Sequence, residues 1–130
     1  MADEPRRRSG FPPGILSLLL DCRMLGIRAG TEPHKHTGIW FVVVAGRLFV
    51  RPWYDKPTGW HRAFLRDPRG TISVSGQEIP VRARQCRSER LFDAVDAAYA
   101  EKYSTKASRK WVRGFRLPRR RKTTTELLPR

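Results

Sequence analysis

The sequence predicts a mainly β protein of the α+β class, a small antiparallel barrel of about six strands with one packed helix in its C-terminal half. Short apolar runs separated by turn residues recur along the first two thirds of the chain, which is the pattern of paired strands. One amphipathic helix follows at 89–103. A chain of 130 residues suffices for one domain with one core, and we expect residues 13–130 to form it.

A predicted hairpin is the centre of this fold. Its strands, Ile39–Val44 and Leu48–Val50, flank Ala45-Gly46 and are rich in β-branched and aromatic residues. We expect a type I turn with Gly46 in the left-handed region, because a primed two-residue turn would place Ala45 at an unfavourable positive φ. Both faces of the first strand are apolar, which predicts a strand covered on both sides.

The other elements follow from composition and periodicity. Residues 1–12 are polar and charged, so we expect a disordered basic lead. Short helices are expected at Ile15–Asp21 and at Trp60–Arg66, where Asp67-Pro68 stops the second one. Alternation of apolar and polar residues, or a run of β-branched ones, predicts four more strands: Arg23–Ala29, Thr71–Ser75, Gln77–Cys86 and Thr123–Leu128.

The long helix, Glu89–Tyr103, carries the clearest signals. Ser88 is a good N-cap, and Leu91, Val95 and Ala98 form one apolar line on its surface. A basic segment, 104–122, comes next, and within it we expect Lys110–Leu117 to be irregular chain packed on the body.

The charge of the chain is unusual. It has 27 Lys and Arg against 12 Asp and Glu, a formal net charge of +15, which favours anionic partners. Nine basic residues and no acidic one lie between Tyr103 and Thr125. Two interpretations stay open, since such a run either binds a partner or is a solvated surface that keeps the protein soluble.

Localisation is inferred from the cysteines and from apolar run lengths. Cys22 and Cys86 could pair, but two buried reduced thiols fit better because no CxxC spacing is present. The longest apolar run near the N-terminus, Ile15–Leu20, is too short for a signal sequence or a membrane span. We therefore expect a cytoplasmic protein that does not contact a membrane.

No motif in the chain identifies a catalytic nucleophile or a glycine-rich phosphate loop, and catalytic residues are not assigned. His34 and His36 could face the same way on a strand, but no third ligand stands nearby. We therefore predict no metal site.

The candidate binding residues flank the central hairpin. Lys35, His36 and Thr37 precede its first strand and Arg51 ends its second, so pairing through Ala45-Gly46 would bring them to one end of the ladder. Cations and a hydroxyl beside backbone N–H groups can hold a phosphate. Indole or phenol rings nearby could stack on a planar ligand, or could instead cover the barrel end as core: Trp53, Tyr54 and Trp60.

Several short patterns, in order and at their spacing, resemble the bacterial domain-of-unknown-function family numbered 2255. Its members show a Thr-Pro-Ile-Trp strand, a Tyr-Val-Arg-Ser strand end, a Trp-Tyr pair, an Ala-Tyr-x-x-Lys-Tyr helix end and a C-terminal Leu-x-Pro-Arg. The corresponding segments here run from about Arg23 to the C-terminus: TGIW at 37–40, FVRP at 49–52, WH at 60–61, AYAEKY at 98–103 and LLPR at 127–130.

The family in turn resembles the flavin-binding split barrels, especially the deazaflavin-dependent nitroreductase-like group. That resemblance implies a split β-barrel, commonly dimeric, with FMN or the deazaflavin coenzyme near the subunit interface. It implies that Lys35 and Thr37 meet the phosphate and that Arg51 and Trp60 border the ring. The sequence departs from the pattern at four places: Gly38 for Pro, Pro52 for Ser, His61 for Tyr, and Asp67-Pro68 for Asn-Pro.

These observations lead to two hypotheses of function. The first is a flavin- or deazaflavin-binding, oxidoreductase-like protein that binds a phosphate-bearing small molecule. The alternative is a basic nucleic-acid-binding or interaction protein without catalysis, in which Trp111 and Phe115 lie among the cations of the tail.

We also expect a homodimer. Trp40 and Val42 would otherwise leave an apolar patch on the outer face of the first hairpin strand. The competing explanation is that Ile15–Leu20 and Trp111–Leu117 fold over this face within one chain.

Overall fold

The computed structural model describes residues 10–30 and 35–130. The strands are β1 (Met24–Ala29), β2 (Thr37–Trp40), β3 (Val42–Val44), β4 (Arg47–Val50), β5 (Arg69–Val74), β6 (Gln77–Gln85) and β7 (Thr125–Pro129). The helices are α1 (Pro13–Asp21), α2 (Trp60–Arg66), α3 (Glu89–Lys102), α4 (Arg109–Phe115) and α5 (Pro118–Arg121), and a 3₁₀ turn, Lys106–Ser108, precedes α4.

All these strands belong to one antiparallel sheet with the order β2-β1-β5-β6-β7-β4-β3. The two edge strands, β2 and β3, are consecutive in the chain and are separated only by Phe41. β2 pairs with β1 through Leu25 and Ile39, whereas β3 pairs with β4 through Val43 and Leu48. One run of chain therefore joins both edges of the sheet and closes it into a barrel, which confirms the predicted fold class.

The chain changes partner strands at Phe41, and this bend is tied by side chains from the end of α3. Phe41 is fully buried and belongs to neither β2 nor β3. Its N–H donates to the Tyr103 hydroxyl at 3.1 Å, and its carbonyl accepts from Lys102 Nζ at 3.1 Å and from the same hydroxyl at 3.0 Å. The Tyr103 hydroxyl also lies 2.5 Å from the Arg23 carbonyl, just before β1.

The turn at Ala45-Gly46 differs from the prediction. The φ angles of Ala45 and Gly46 are 52° and 77°, and Val44 pairs directly with Arg47. This is a two-residue turn with both central residues in the left-handed region, a primed turn, and the predicted type I turn is wrong. The twist of a primed turn matches the twist of the strands, and this match outweighs a cost of about 1–2 kcal/mol for alanine at positive φ.

Two apolar clusters lie on the two sides of β3 and β4. The barrel interior holds residues from most strands and from α1, among them Leu19, Leu25, Ile27, Phe41, Leu48, Val50, Ile72, Val81 and Leu127. The outer cluster packs α3 and α4 on the hairpin and holds Val42, Phe49, Phe92, Val95, Tyr99, Tyr103, Val112 and Phe115. The expectation that the central strand is covered on both faces is confirmed.

That outer cover comes from the same chain. Val42 is 1% exposed, and the Trp40 ring stacks on Tyr103 with centroids 3.9 Å apart. Val42 is thus covered within the chain and Trp40 is half-buried, so the homodimer loses this support and stays a prediction. Lys110–Leu117, expected to be irregular, is largely helical because Val112 and Phe115, three residues apart, both pack into the outer cluster.

Most other predicted elements have their counterparts within one to three residues. The Ser88 side chain accepts from Leu91 N–H and caps α3 as expected. The long helix and the two short helices expected at Ile15–Asp21 and Trp60–Arg66 are present, and the described residues also contain α4 and α5. Phe11, assigned by the sequence to the disordered lead, is buried in the barrel interior, and residues 1–9 of that lead lie outside the described residues.

Replacing Tyr103 with Phe should destabilise the barrel. The change leaves the ring in place but removes the only hydrogen-bond partner of the buried Phe41 N–H among the described residues. We expect a loss of about 1–3 kcal/mol in the free energy of unfolding, measured by urea denaturation. Tyr99→Phe is the matched control, because the buried Tyr99 hydroxyl has no hydrogen-bond partner. Equal losses in the two variants would contradict the assigned role of Tyr103.

Lys102 should make stability depend on pH. Burial, together with the nearby Arg23, lowers the pKa of Lys102 from 10.5 to about 8. Between about pH 8 and pH 10 the unfolded chain then binds more protons than the folded one, so the free energy of unfolding should rise with pH. Lys102→Met should flatten this rise in a urea denaturation series, whereas Lys106→Met, at an exposed position, should keep it.

Candidate functional site

A cavity of about 600 Å³ opens between β1, the start of β2, the loop 53–59 and α2. Thr37, Gly38 and Ile39 line it from β2, and Ile27 and Ala29 line it from β1. The rest of its wall comes from the loop, from α2 and from Lys35, two residues before β2; the loop and helix residues are Trp53, Tyr54, Lys56, Thr58, Gly59, Trp60 and Ala63. We call this cavity the β2–α2 pocket.

The polar groups of the β2–α2 pocket suit an anion. Lys35 and Lys56 supply positive charge, and Thr37 and Thr58 supply hydroxyl groups. None of the described residues that line the pocket is acidic. Ammonium and hydroxyl donors without a competing carboxylate are the chemistry that binds phosphate or carboxylate groups.

Trp53 forms part of the wall of three cavities. It lines the β2–α2 pocket, a second cleft of about 390 Å³ beside Trp40 and Trp111, and a groove of about 400 Å³ beside Arg119 and Arg120. Its ring contacts Trp111 and Phe115 edge-on, and the Arg120 guanidinium lies 3.8 Å from its centroid.

Gly114 on α4 allows the Trp53 ring to take this position. A Cβ added at Gly114 would lie 2.2 Å from Trp53 Cη2, far inside van der Waals contact. Any larger residue at 114 would therefore displace the ring that borders all three cavities.

Four of the six predicted site residues meet in the β2–α2 pocket: Lys35, Thr37, Trp53 and Trp60. His36 does not line it. Its side chain packs against Gly26, and its Nε2 lies 3.8 Å from Glu78 Oε2 on β6. His34, considered with it as a metal ligand, lies outside the described residues, and among the described ones no three His, Cys, Asp or Glu side chains form a metal-binding group.

Arg51 does not line the β2–α2 pocket, and its buried guanidinium forms hydrogen bonds inside the protein. Its side chain is 1% exposed, Nε donates to Thr124 Oγ1 at 2.8 Å, and Nη1 donates to Asp96 Oδ1 at 2.5 Å. The remaining donors reach the carbonyls of Phe115 and Phe92, at 3.0 and 3.1 Å. A buried guanidinium is stable only when it is paired in this way, so Arg51 joins β4 to α3, α4 and the approach to β7.

The ladder on which the grouping of Arg51 with Lys35 rested does not extend that far, because the strand changes partners at Phe41. The β3–β4 ladder covers only Val42–Val44, and the residues before Phe41 pair with β1 instead. Arg51 does, however, line the second cleft together with Gly38 and Ile39. Thr37 and Trp53 nevertheless share a pocket.

The loop that carries Lys56 and Thr58 is anchored by His61. This histidine is buried, with Nδ1 3.2 Å from Asp55 Oδ1 and Nε2 3.0 Å from Gln85 Oε1. Arg62 Nε donates to the same Asp55 oxygen at 2.9 Å. Burial acts to raise the pKa of Asp55, but the hydrogen bonds from Arg62 and His61 outweigh it and hold the pKa below its ordinary value.

Sequence reasoning missed Lys56 and Thr58, because the DKPTG segment has the composition of a turn and nothing more. Their position could have identified them, because Lys56 and Thr58 precede Trp60, which was already a candidate, by four and two residues.

The fold and this pocket define a split-barrel protein with a cationic, aromatic cavity at one end of the barrel. The family model described as uncharacterized protein conserved in bacteria, DUF2255, matches residues 22–127, and the chain belongs to that family. The resemblance found in the sequence is confirmed. No curated protein matches the chain.

Two solved structures share the fold. A conserved hypothetical protein from Mycobacterium tuberculosis has a TM-score of 0.60 and 15% identity, with 92% of this chain and 80% of that chain covered. A Listeria innocua protein named "Putative Pyridoxamine 5'-phosphate oxidase" has a TM-score of 0.56 and 13% identity, with 88% and 87% covered. At this identity the likeness establishes the split-barrel fold alone.

Cys22 and Cys86 are both free, as expected, although only Cys86 is buried. Among the described residues no helix combines the length and apolar character that a membrane crossing requires.

Proposed function

We propose that the protein binds a flavin or deazaflavin cofactor in the β2–α2 pocket and acts as an oxidoreductase-like protein. The observation that carries the proposal is the meeting of Lys35, Thr37, Trp53 and Trp60, which the sequence had selected, in one cavity with a second cation, Lys56. The Listeria innocua protein of similar fold is named after an enzyme of a phosphate-bearing substrate, which agrees with an anion site in this fold.

The residues of the pocket fit such a cofactor. A cavity of about 600 Å³ lies within the range of roughly 300–1,000 Å³ typical of cofactor and ligand sites. Lys35, Lys56 and the Thr37 hydroxyl would hold the phosphate, and the partly buried rings of Trp53 and Trp60 would border the planar ring system.

When bound, a flavin or deazaflavin supplies hydride transfer. The residues of this chain would bind and orient it. The aromatic rings exclude water from one side of the ring system, and the lysines fix the end that carries the charge. His61 and Asp55 contribute indirectly, because their hydrogen bond holds the loop on which Lys56 lies.

Riboflavin phosphate should bind the purified protein saturably, with quenching of flavin fluorescence. Riboflavin, which lacks the phosphate, should bind at least about tenfold more weakly, because it loses charge-assisted hydrogen bonds to the lysines. The deazaflavin coenzyme is titrated in parallel. Absence of saturable binding by both phosphate-bearing cofactors would remove the proposal.

A pair of double variants locates the binding. Lys35→Ala with Lys56→Ala should weaken riboflavin phosphate binding but leave riboflavin binding nearly unchanged. Lys106→Ala with Lys110→Ala removes the same charge from exposed positions that do not line the pocket, and should have no effect. Equal weakening by both pairs would indicate attraction by net charge instead of a phosphate site.

A homodimer is part of the proposal. The second cleft shares Gly38, Ile39 and Trp53 with the β2–α2 pocket, and Met24 and Trp111 leave apolar surface exposed at its rim. A second copy over this cleft would cover that surface and close one side of the pocket. Light scattering at micromolar concentration should give about twice the 15.1 kDa mass of one chain, and a mass near 15.1 kDa would exclude the dimer.

A further inference from the structure

The groove beside Arg119 and Arg120 is a cationic cavity that adjoins the β2–α2 pocket. It has a volume of about 400 Å³ and shares Trp53, Tyr54 and Lys56 with that pocket. Arg119 and Arg120 line the groove but not the pocket. The proposed cofactor site therefore makes no use of these two arginines.

Arg120 brings a buried charge to the groove. The residue is 9% exposed, and its guanidinium stacks on the Trp53 ring with 3.8 Å to the centroid. Its Nε donates to the Trp53 carbonyl at 2.9 Å and its Nη1 to the Gly114 carbonyl at 3.2 Å. Nη2 has no hydrogen-bond partner among the described residues. Two N–H donors of a buried guanidinium thus remain available in a cavity wall.

No carboxylate among the described residues forms an ion pair with Arg120. Burial and the neighbouring Arg119 lower the pKa of Arg120 from its ordinary value, whereas Tyr54 acts to raise it. A buried cation is normally paired with an anion, because burial removes its hydration. Arg51 follows this rule through its ion pair with Asp96. Arg120 would follow it if an anion occupied the groove.

The groove has an excess of positive charge. Of the described residues that line it, Lys56, Arg119 and Arg120 are cationic and Asp55 alone is acidic, so these four groups have a net charge of +2. The Asp55 carboxylate is already paired, since Arg62 Nε donates to its Oδ1 at 2.9 Å. A ligand with two negative charges would balance the groove.

Tyr54 gives the groove an open aromatic surface. Its side chain is 68% exposed, and Lys56 Nζ lies 5.6 Å from the centroid of its ring. A ring so exposed has a face free to pack on a planar group. Because Tyr54 and Arg120 line the same groove, a ligand held by its charge at Arg120 can place an attached ring against Tyr54.

We propose that the groove binds a small dianion that carries an aromatic ring, either a phosphate monoester or a dicarboxylate. The Nη2 N–H groups of Arg120 donate to an anionic oxygen, and Lys56 and Arg119 supply the remaining positive charge. The ring of the ligand packs on Tyr54. This site does not require a cofactor in the β2–α2 pocket, so each proposal can fail without the other.

Isothermal titration calorimetry with phenyl phosphate and with phthalate tests the site. Inorganic phosphate is the matched ligand without a ring. We expect at least one aromatic dianion to bind saturably, about fivefold more tightly than inorganic phosphate, because its ring adds an aromatic contact. The tighter of the two aromatic ligands identifies the anionic group. Absence of saturable binding by both would overturn the proposal.

Three single variants locate the binding. Arg119→Gln removes a cation that lines the groove but not the β2–α2 pocket, and should weaken the aromatic dianion about fivefold. Lys35→Gln removes a cation that lines the pocket but not the groove, and Arg116→Gln removes an exposed cation that lines neither. These two should bind as the wild type does. Equal weakening by Arg119→Gln and either control would count against the groove.

Arg120→Lys keeps the positive charge but removes the planar fork. Saturating aromatic dianion should raise the melting temperature of the wild type, since a ligand of the folded state stabilises it. The rise should be smaller in Arg120→Lys, even if this variant starts from a lower melting temperature because the ties to Trp53 and Gly114 are lost. An equal rise in both proteins would contradict the assigned role of Arg120.

The aromatic contact is tested with Tyr54→Ala. This variant should bind the aromatic dianion no more tightly than inorganic phosphate, and its affinity for inorganic phosphate should match that of the wild type. Undiminished binding of phenyl phosphate and phthalate by Tyr54→Ala would refute a ligand whose ring packs on Tyr54.

Discussion

The structure depends on the polar groups of one buried bend. A strand that leaves one edge of a sheet and joins the other must break its ladder, and the backbone groups at the break need partners inside the protein. At Phe41 these partners are Lys102, the last residue of α3, and Tyr103, which follows it. The same hydroxyl holds the chain before β1 through the Arg23 carbonyl. The same hydrogen bonds therefore close the barrel and hold the end of α3 against it. The position of Thr37 in its pocket follows from this closure.

The few buried carboxylates each form ion pairs with two arginines. Glu126 on β7 is fully buried and accepts from Arg47 and Arg84, at 2.8 and 2.6 Å. Burial acts to raise the pKa of Glu126, and the two guanidinium groups outweigh it and lower the pKa. Asp96 forms ion pairs with Arg51 and Arg121. Several arginines are therefore already paired, so fewer than the 27 Lys and Arg of the chain are free to meet an anionic partner.

The sequence predicted what depends on neighbouring residues and missed what depends on distant ones. Alternation located the strands and Ser88 located the start of α3, because these signals are local. Alternation contains no information on partner strands, so the division of 37–44 between two edges was not predictable. Of the site, Lys35, Thr37, Trp53 and Trp60 were found by their residue types. Arg51 was misplaced because its partners, Asp96 and Thr124, lie far along the chain.

Trp53 physically connects three cavities of the molecule. One indole ring, wedged against Gly114 and covered by Arg120, forms part of the wall of three cavities at once. A ligand that turns this ring in one cavity reshapes the other two. By thermodynamic linkage the effect is reciprocal. If a molecule in the groove changed the affinity of the β2–α2 pocket by some factor, a ligand in that pocket would change the affinity of the groove by the same factor. Ligands bound in two of these cavities would therefore be coupled through this one ring.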